Sequence, residues 1–335
     1  MGNVIIKKDE LQILINSLSD IHISYPIYDG DVLVARPEGS DFRLELTASK
    51  ETFSDWLLEY EPIARELPSY SDFQECILAS GIVRYTNQAA FDEMLRSYGY
   101  LRKEVYFGLD TNLFYHCFVT NTPEIDHARY IVVDTVRDEI TYAINRKYST
   151  KKIGEIVECA PRHKNLIREL ENKRTKRSRK AAYLALSEYR LIRDRVTVIP
   201  SPGTHSHLSE ENDRNIVRAL REFEKERYAL PVLLTSDVYM TDLCTAEGLE
   251  HFYLDRPYNV DVTLSTPSKF LRLLFNLAVV FGFIQCDDIT IFGEYGGKGD
   301  DLDELKVRFY DDRQYRDFAR ELEICRQLSA LDIIK

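Results

Sequence analysis

The sequence has none of the cysteine patterns that mark a disulfide framework or a zinc site. Its six cysteines are scattered along 335 residues, and no two of them form a C-x-x-C pair. Such spacing favours a reducing compartment. The amino terminus lacks a secretory signal pattern, and the most apolar run, residues 273–284, is shorter than the about 20 residues that a transmembrane helix needs. We therefore expect a cytoplasmic protein that does not span a membrane.

Positive charge is also in short supply. The 44 lysines and arginines are outnumbered by 55 aspartates and glutamates, and the formal net charge is -11. A polyanion would therefore have to bind a local basic patch, because the protein as a whole repels it. Hydrophobic residues make up 44% of the chain and charged residues 30%, which is typical of a globular protein with two or three domains.

Two polar segments carry motifs with more than one interpretation. Residues 293–301 are rich in glycine, but they lack G-x-x-x-x-G-K-[ST] and precede a strand. They therefore predict a hairpin tip and not a phosphate-binding loop. His205 and His207 form an H-x-H pair, which is either a pair of metal ligands or an ordinary polar loop that has no third ligand.

The two ends of the chain predict structure without a recognisable site. Residues 1–100 combine alternating apolar residues, turn signals and helical patterns, which predicts an N-terminal α+β domain. Residues 261–335 predict a buried helix, a β-hairpin and a final amphipathic helix. Neither region carries a motif that indicates chemistry. Their possible roles are homo-oligomer formation and the recruitment of a protein partner.

Residues 101–260 have a different sequence pattern, in which apolar strands alternate with predicted helices. Alternation of this kind is typical of a parallel, doubly wound sheet. Strands are predicted at residues 104–109, 129–134, 195–199, 231–236 and 249–254. The predicted fold class is therefore α/β, with a doubly wound parallel sheet flanked by an N-terminal α+β domain and a C-terminal helix and β-hairpin region.

Four acidic residues occupy unusual positions in this middle region. Asp110 and Asp237 lie just beyond the ends of two buried strands, where ligands bind in open α/β sheets. Glu139 and Asp213 border the apolar faces of predicted helices, where an unpaired charge is costly. Carboxylates gathered at one edge raise each other's pKa unless they share a cation, and Mg²⁺ or Mn²⁺ suits oxygen ligands. Each acid taken alone is more simply a helix cap or a surface residue.

Residues 162–180 carry the strongest charge bias of the chain, and they predict a helix. The segment has two glutamates against nine basic residues, which are Arg162, Lys164, Arg168, Lys173, Arg174, Lys176, Arg177, Arg179 and Lys180. One interpretation is a solvated helix face, although such faces normally mix both signs of charge. The other is contact with phosphates, because lysine and arginine supply most of the sequence-independent affinity for nucleic acid.

Four motifs of the middle region together resemble those of the PIN-domain nucleases. In chain order they are Asp110-Thr-Asn after a buried strand, Val136-x-x-Glu139-Ile, Asn212-Asp213-x-x-Ile216, and Leu233-Leu-Thr-Ser-Asp237, which Asp242 and Ala246-Glu-Gly248-Leu follow. The resemblance covers about residues 101–260, roughly half of the chain. Asp-Thr-Asn together with Thr-Ser-Asp and the trailing Ala-x-Gly is its most specific part, and the two middle motifs are looser.

The resemblance implies an endoribonuclease that uses Mg²⁺ or Mn²⁺, acts on RNA and belongs to RNA processing or decay. The catalytic metal ligands that it implies are four acids: Asp110, Glu139, Asp213 and Asp237. Asp242 would be an auxiliary acid. Thr111 and Thr235 would orient carboxylates through hydrogen bonds, and Asn112 would hold the turn.

Two features depart from the compact members of that family. The insertion between Glu139 and Asp213 is longer than in those members, and it contains the basic segment, which would guide RNA. Asp134 is an additional acid near the same sheet edge, so it either replaces a ligand or is incidental. The flanking regions favour a larger RNA-processing enzyme over a small toxin.

Two other functions compete with a nuclease. A catalytically silent PIN-like module would bind RNA or a protein partner, but such a scaffold has no need of buried like charges. A phosphatase with an aspartyl nucleophile is the second alternative. That chemistry, as in the haloacid dehalogenase family, requires Asp-x-Asp, whereas the second residue after Asp110 is Asn112.

Overall fold

The computed structural model describes residues 2–202, 209–258, 260, 264–295 and 302–331. Within these residues the chain is mixed α/β and forms thirteen strands. They are β1 Gly2–Lys7, β2 Ile21–Ser24, β3 Asp31–Glu38, β4 Asp41–Leu46, β5 Glu104–Leu109, β6 Tyr130–Val133, β7 Thr197–Ile199, β8 Ala229–Thr235, β9 His251–Tyr253, β10 Leu264–Ser265, β11 Phe283–Cys286, β12 Ile289–Phe292 and β13 Glu304–Phe309.

The same residues form fifteen α-helices. They are α1 Leu11–Asn16, α2 Lys50–Glu59, α3 Tyr70–Ala79, α4 Gln88–Tyr98, α5 Thr111–Tyr115, α6 Phe118–Asn121, α7 Asp134–Ala143, α8 Thr150–Cys159, α9 Lys164–Arg168, α10 Lys176–Lys180, α11 Leu186–Ile192, α12 Ser209–Glu226, α13 Val238–Glu247, α14 Pro267–Phe281 and α15 Asp312–Ala330. A π-helical segment, Ala181–Ala185, joins α10 to α11. Short 3₁₀ turns occur at Lys8–Glu10, Glu61–Ile63, His127–Arg129 and Pro161–His163.

Two predicted motifs lie wholly or mostly outside the described residues, and a third expectation concerns membrane-spanning helices. His205 and His207 lie outside the described residues, as does most of the glycine-rich segment that precedes β13. Among the helices of the described ranges, none combines the length and the apolar character that crossing a membrane requires.

The chain divides into two compact units instead of the three domains that the sequence predicts. The first unit contains residues 1–82, 146–179 and 261–335, and the second contains residues 83–145 and 180–260. The ends of the chain belong to one unit because their strands pair with each other. β1 pairs with β13 and β2 pairs with β11, and such long-range pairing leaves no signal in local sequence patterns.

The first unit is built on an eight-stranded antiparallel sheet. Its strand order is β1-β13-β12-β11-β2-β3-β4-β10. Helix α14 supplies much of the core, because every residue from Leu273 to Phe281 is buried. Aromatic rings complete it, and among them Tyr28 stacks on Trp56 with ring centroids 4.8 Å apart.

The second unit contains the predicted parallel sheet. Its five strands have the order β7-β6-β5-β8-β9 and all pair in parallel. The predicted strand positions are confirmed, with ends that differ by no more than two residues. From β5 the chain proceeds through β6 to β7 on one side, whereas β8 and β9 lie on the other. The direction of winding therefore reverses between β5 and β8, and ligands bind at such a switch point in open α/β sheets.

The single helix predicted over residues 162–180 does not form. Only α9 and α10, of five residues each, are α-helical in this segment. Between them Asn172 adopts a left-handed φ of 59°, and Arg174 forms an antiparallel bridge with Lys147. A left-handed residue ends a helix, and the bridge uses backbone groups that a continuous helix would need.

Candidate active site

Two of the predicted acids lie side by side at the carboxyl edge of the parallel sheet. β5 and β8 pair in register up to Leu109 and Leu234, and the amide of Asp110 donates a hydrogen bond of 3.2 Å to the carbonyl of Leu234. Asp237 follows two residues after the end of β8 and caps the amino terminus of α13. The reversal of winding between these two strands therefore brings both aspartates to the switch point.

Asp110 is a buried carboxylate, with 4% of its surface exposed. Its Oδ2 accepts hydrogen bonds from Thr235 Oγ1 at 2.8 Å and from Asn112 Nδ2 at 3.3 Å. Burial raises the pKa of Asp110 to about 6, and the charges of Asp237 and Glu139 act in the same direction, against these hydrogen bonds. Ionising this group in the absence of a cation is therefore costly.

Thr235 connects the two strand-end aspartates. Its fully buried hydroxyl donates to Asp110 and accepts a hydrogen bond of 3.0 Å from the amide of Asp237. Oδ1 of Asp237 in turn accepts from the amide of Tyr239 at 2.9 Å. One threonine thus fixes the backbone that carries one acid and the side chain of the other.

Glu139 is held by a hydrogen bond to each of its carboxylate oxygens. It lies on α7 beside the buried Ile140, as its position on the helical pattern predicts. Thr111 Oγ1 donates to Oε2 at 2.7 Å, and Asn212 Nδ2 donates to Oε1 at 3.0 Å. The carboxylate is therefore oriented by residues from two other helices, α5 and α12.

Asp213 completes the group from α12. This helix lies close to the sheet because Gly108 in β5 has no side chain, and a Cβ there would lie 2.7 Å from Cδ1 of Leu220. Burial raises the pKa of Asp213 to about 7, and the charges of Asp110 and Glu139 act in the same direction. Within the described residues no hydrogen bond or ion pair engages its carboxylate.

We call Asp110, Glu139, Asp213 and Asp237 the acid cluster. Its members come from the ends of two strands and from two helices, and the charges of the other members contribute to the raised pKa values of Asp110 and Asp213. Over the residues that the structure describes, however, no three acidic, histidine or cysteine side chains lie close enough together to enclose a metal ion. The acids are thus gathered within electrostatic range but not arranged as a finished coordination shell.

Two acids near the same edge stand apart from the acid cluster. Asp242 is exposed on α13 and, in the described ranges, makes no hydrogen bond or ion pair. Oδ1 of Asp134 accepts a hydrogen bond of 2.9 Å from the amide of Ser201, so this carboxylate holds the backbone that follows β7. Neither acid is among the main influences on the pKa of Asp110 or Asp213.

Three of the nine predicted phosphate-binding residues are engaged inside the first unit. Arg179 is 1% exposed and donates to the carbonyls of Val279, Val280 and Arg174. The guanidinium of Arg174 pairs with Glu294 at 2.9 Å. These arginines bind the chain to itself, so the predicted contact with RNA does not apply to them.

Lys176 has the same structural role, because its Nζ lies 3.0 Å from Oδ2 of the buried Asp72. The remaining residues of the basic segment are more accessible. Arg162, Lys164, Arg168 and Arg177 are exposed, whereas Lys173 and Lys180 are half-buried. The charge bias of the sequence therefore combines residues of the interior with residues of the surface.

Asn212 is a residue of the site to which the sequence analysis, although it names Asn212 in a motif, assigned no role. It is buried, 8% exposed, and donates to Glu139. Its sequence position contains a signal, because it lies four residues before the buried Ile216 and immediately before Asp213. An amide on the inward face of a helix next to an acid indicates a hydrogen-bonding role.

Comparisons with known proteins provide no family. No protein-family model and no curated protein matches the chain. Among solved structures, the chain is similar to a domain of a functionally unknown protein from Methanocaldococcus jannaschii DSM 2661, with 20% sequence identity. The match covers 49% of this chain and 99% of that one, with a TM-score of 0.28. A likeness at that score supports no conclusion about fold or function.

Proposed function

We propose that this protein is a PIN-like, metal-dependent endoribonuclease that hydrolyses RNA phosphodiester bonds. The observation that supports the proposal is the acid cluster at the switch point of the parallel sheet. Two of its carboxylates, Asp110 and Asp213, have pKa values raised to about 6 and about 7. Perturbed carboxylates that gather in this part of an α/β fold are candidates for a functional site.

The donor set fits Mg²⁺ or Mn²⁺. The acid cluster presents only oxygen atoms, which these ions prefer, and it concentrates negative charge that a divalent cation would neutralise. Asp110, Glu139, Asp213 and Asp237 would hold the ion. When bound, such an ion supplies an activated water and stabilises the leaving oxygen of a phosphodiester.

Neighbouring residues orient the carboxylates that would hold the metal ion. Thr235 and Asn112 orient Asp110, and Thr111 and Asn212 orient Glu139. A neutral donor fixes a carboxylate without cancelling its charge, and each of these two carboxylates keeps at least one lone pair for a metal ion. Burial keeps Asp110 away from solvent and strengthens its electrostatic interactions.

The alternative is a catalytically silent PIN-like module that binds RNA or a protein partner. One observation favours it: in the described residues, no three potential ligands lie within metal-binding distance of each other. A binding module would keep the fold and would not need the acids to close around an ion.

Cleavage assays with purified full-length chain distinguish the two functions. End-labelled single-stranded RNA, structured RNA and DNA are incubated with Mn²⁺, Mg²⁺ or EDTA, and the fragments are sized. We expect internal, metal-dependent cuts in RNA that disappear in the double variant Asp110→Asn/Asp237→Asn, with its fold checked by circular dichroism. Glu222→Gln is the matched control, because Glu222 is an exposed acid on α12 outside the acid cluster. Cleavage that survives the double variant, or no cleavage with any metal, would overturn the nuclease proposal.

A further inference from the structure

The segment after β9 runs along the edge of the sheet that carries the acid cluster. The amide of Leu254 donates a hydrogen bond of 2.8 Å to the carbonyl of Thr235, the residue that orients Asp110. The amide of Asp255 donates to Asn87 Oδ1 at 3.0 Å, and Asn87 Nδ2 donates to the carbonyl of Tyr253 at 2.7 Å. These bonds fix the backbone on both sides of the strand end and leave the next residue, Arg256, at this edge.

Arg256 is an exposed arginine without an intramolecular partner in the described residues. Its guanidinium makes no hydrogen bond, ion pair or aromatic contact there. Arg179 shows what a structural arginine of this chain looks like, since it is buried and donates to three backbone carbonyls. Arg256 differs from Arg179 because its guanidinium is exposed and has no partner in the described residues, although hydrogen bonds hold the backbone that precedes it.

A buried histidine lies near the same segment, because the amide of Thr86, next to Tyr85, donates a hydrogen bond of 2.8 Å to the carbonyl of Asp255. His116 is buried at the end of α5, the helix that Asp110 begins, and its Nδ1 lies 3.0 Å from the hydroxyl of Tyr85. Burial lowers the pKa of His116 to about 3, and the positive charges of Arg256 and Lys180 act in the same direction. Arg256 therefore follows a segment that lies near a neutral imidazole, at the end of the helix that Asp110 begins.

We propose that Arg256 forms a binding site for a backbone phosphate of the RNA substrate at the edge of the sheet that carries the acid cluster. The inference rests on the proposed function for the identity of the polyanion. The acid cluster repels a phosphodiester, and a chain of net charge -11 needs local cations to offset that repulsion. A guanidinium matches two phosphate oxygens through parallel hydrogen bonds.

The inference is tested by RNA binding in the absence of cleavage. The full-length chain is titrated into fluorescein-labelled single-stranded RNA in EDTA, and Kd is measured by anisotropy from about 50 to about 200 mM salt. The variants are Arg256→Gln and Arg256→Lys. The control is Arg102→Gln, because Arg102 is an exposed arginine just before β5, at the opposite edge of the sheet.

We expect Arg256→Gln to weaken binding by about tenfold, as for the loss of one charged hydrogen-bonded contact. The slope of log K against log salt should fall by about 0.7, the value for one phosphate contact on a single strand. Arg256→Lys should preserve this slope, and Arg102→Gln should change neither Kd nor the slope.

The outcomes separate this inference from the nuclease proposal. RNA binding that depends on Arg256, in a chain that cleaves no RNA with any metal, supports the phosphate site and removes the nuclease. An unchanged Kd and salt slope in Arg256→Gln overturn the phosphate site, even if metal-dependent cleavage is observed. A wild-type chain that binds no RNA under these conditions also overturns it.

Discussion

Neutralising Asp213 should stabilise the protein when no metal ion is present. Burial and the charges of Asp110 and Glu139 raise the pKa of Asp213 from its ordinary 3.8 to about 7. The folded state therefore holds this proton more tightly than the unfolded state does. Between about pH 4 and about pH 7 the unfolded chain has released the proton and the folded chain has not, so the free energy of unfolding falls as the pH rises through that window.

The size of the effect follows from the shift. About three pH units at ~1.36 kcal/mol each set a ceiling of ~4 kcal/mol. Asp213 is only half-buried, so solvent screens a large part of the unfavourable interaction. We therefore expect the ionised carboxylate to lower the free energy of unfolding by about 1–2 kcal/mol. Asp213→Asn removes the charge and should recover that amount above pH 7. For a unit of this size the melting temperature should rise by about 2–8 °C.

Thermal unfolding in EDTA, followed by circular dichroism at about pH 5 and about pH 8, measures the difference. Asp213→Asn should melt above wild type at the higher pH and close to it at the lower pH. Glu222→Gln changes the net charge by the same amount on the same helix, and it should leave the melting temperature unchanged at both.

Mn²⁺ should reverse the order of the melting temperatures of wild type and Asp213→Asn at the higher pH. A ligand that binds only the folded state stabilises it by RT ln(1 + [L]/Kd), so wild type should gain more from Mn²⁺ than Asp213→Asn does. The reasoning is refuted if Asp213→Asn lowers the melting temperature in EDTA at the higher pH. Such a result would show that the ionised carboxylate stabilises the fold through favourable contacts.

Two further predictions concern packing. Lys176→Ala removes the ammonium that lies 3.0 Å from the buried carboxylate of Asp72, so urea denaturation should show a loss of about 3 kcal/mol in the free energy of unfolding; an equal loss in the exposed Lys164→Ala would contradict this. Gly108→Ala places a Cβ 2.7 Å from Cδ1 of the buried Leu220, so either this side chain or α12 must shift, and we expect both the melting temperature and metal-dependent cleavage to fall. Cleavage that stays at the wild-type rate would show that the placement of α12 does not control the site.

The parallel sheet was predictable from the sequence because the signals of its strands are local. β5 and β8 are continuous apolar runs, as expected of strands that are buried on both faces, and both end in polar residues. The carboxyl ends of parallel strands share one edge, so the amino-acid sequence places Asp110 and Asp237 at the same edge, whereas the pairing of β5 with β8 that makes them neighbours is seen only in the structure. Periodicity places Glu139 and Asp213 on inward helix faces for the same reason: the information lies within a few residues.

The division into units was not predictable in this way. It depends on pairing between β1 and β13, and between β2 and β11, across most of the length of the chain. A strand's sequence specifies which of its faces is buried, but not which distant strand it pairs with. The predicted domain boundaries therefore lie where the local sequence pattern changes, whereas the fold joins the two ends of the chain in one unit.

The basic segment shows a second limit of local patterns. Arg179 is buried because Gly282, with a φ of 94°, leaves space for its guanidinium; a Cβ there would lie 3.0 Å from Nη2. That space and the carbonyl acceptors of Val279 and Val280 are about a hundred residues away in sequence. A charge run read by itself cannot distinguish an arginine that reaches such a distant cavity from one that faces solvent.

Charges that neutralise each other and charges that repel each other therefore have different meanings in this chain. Arg174 with Glu294, and Lys176 with Asp72, are opposite charges whose pairing holds a segment in place. The acid cluster brings together like charges, and burial together with this proximity raises the pKa values of Asp110 and Asp213, which lowers the stability of the fold at neutral pH. Folding alone gives no reason for that arrangement, whereas a bound cation does. This contrast is why we propose the chemistry of the protein at the acid cluster and assign the buried part of the basic segment to structure.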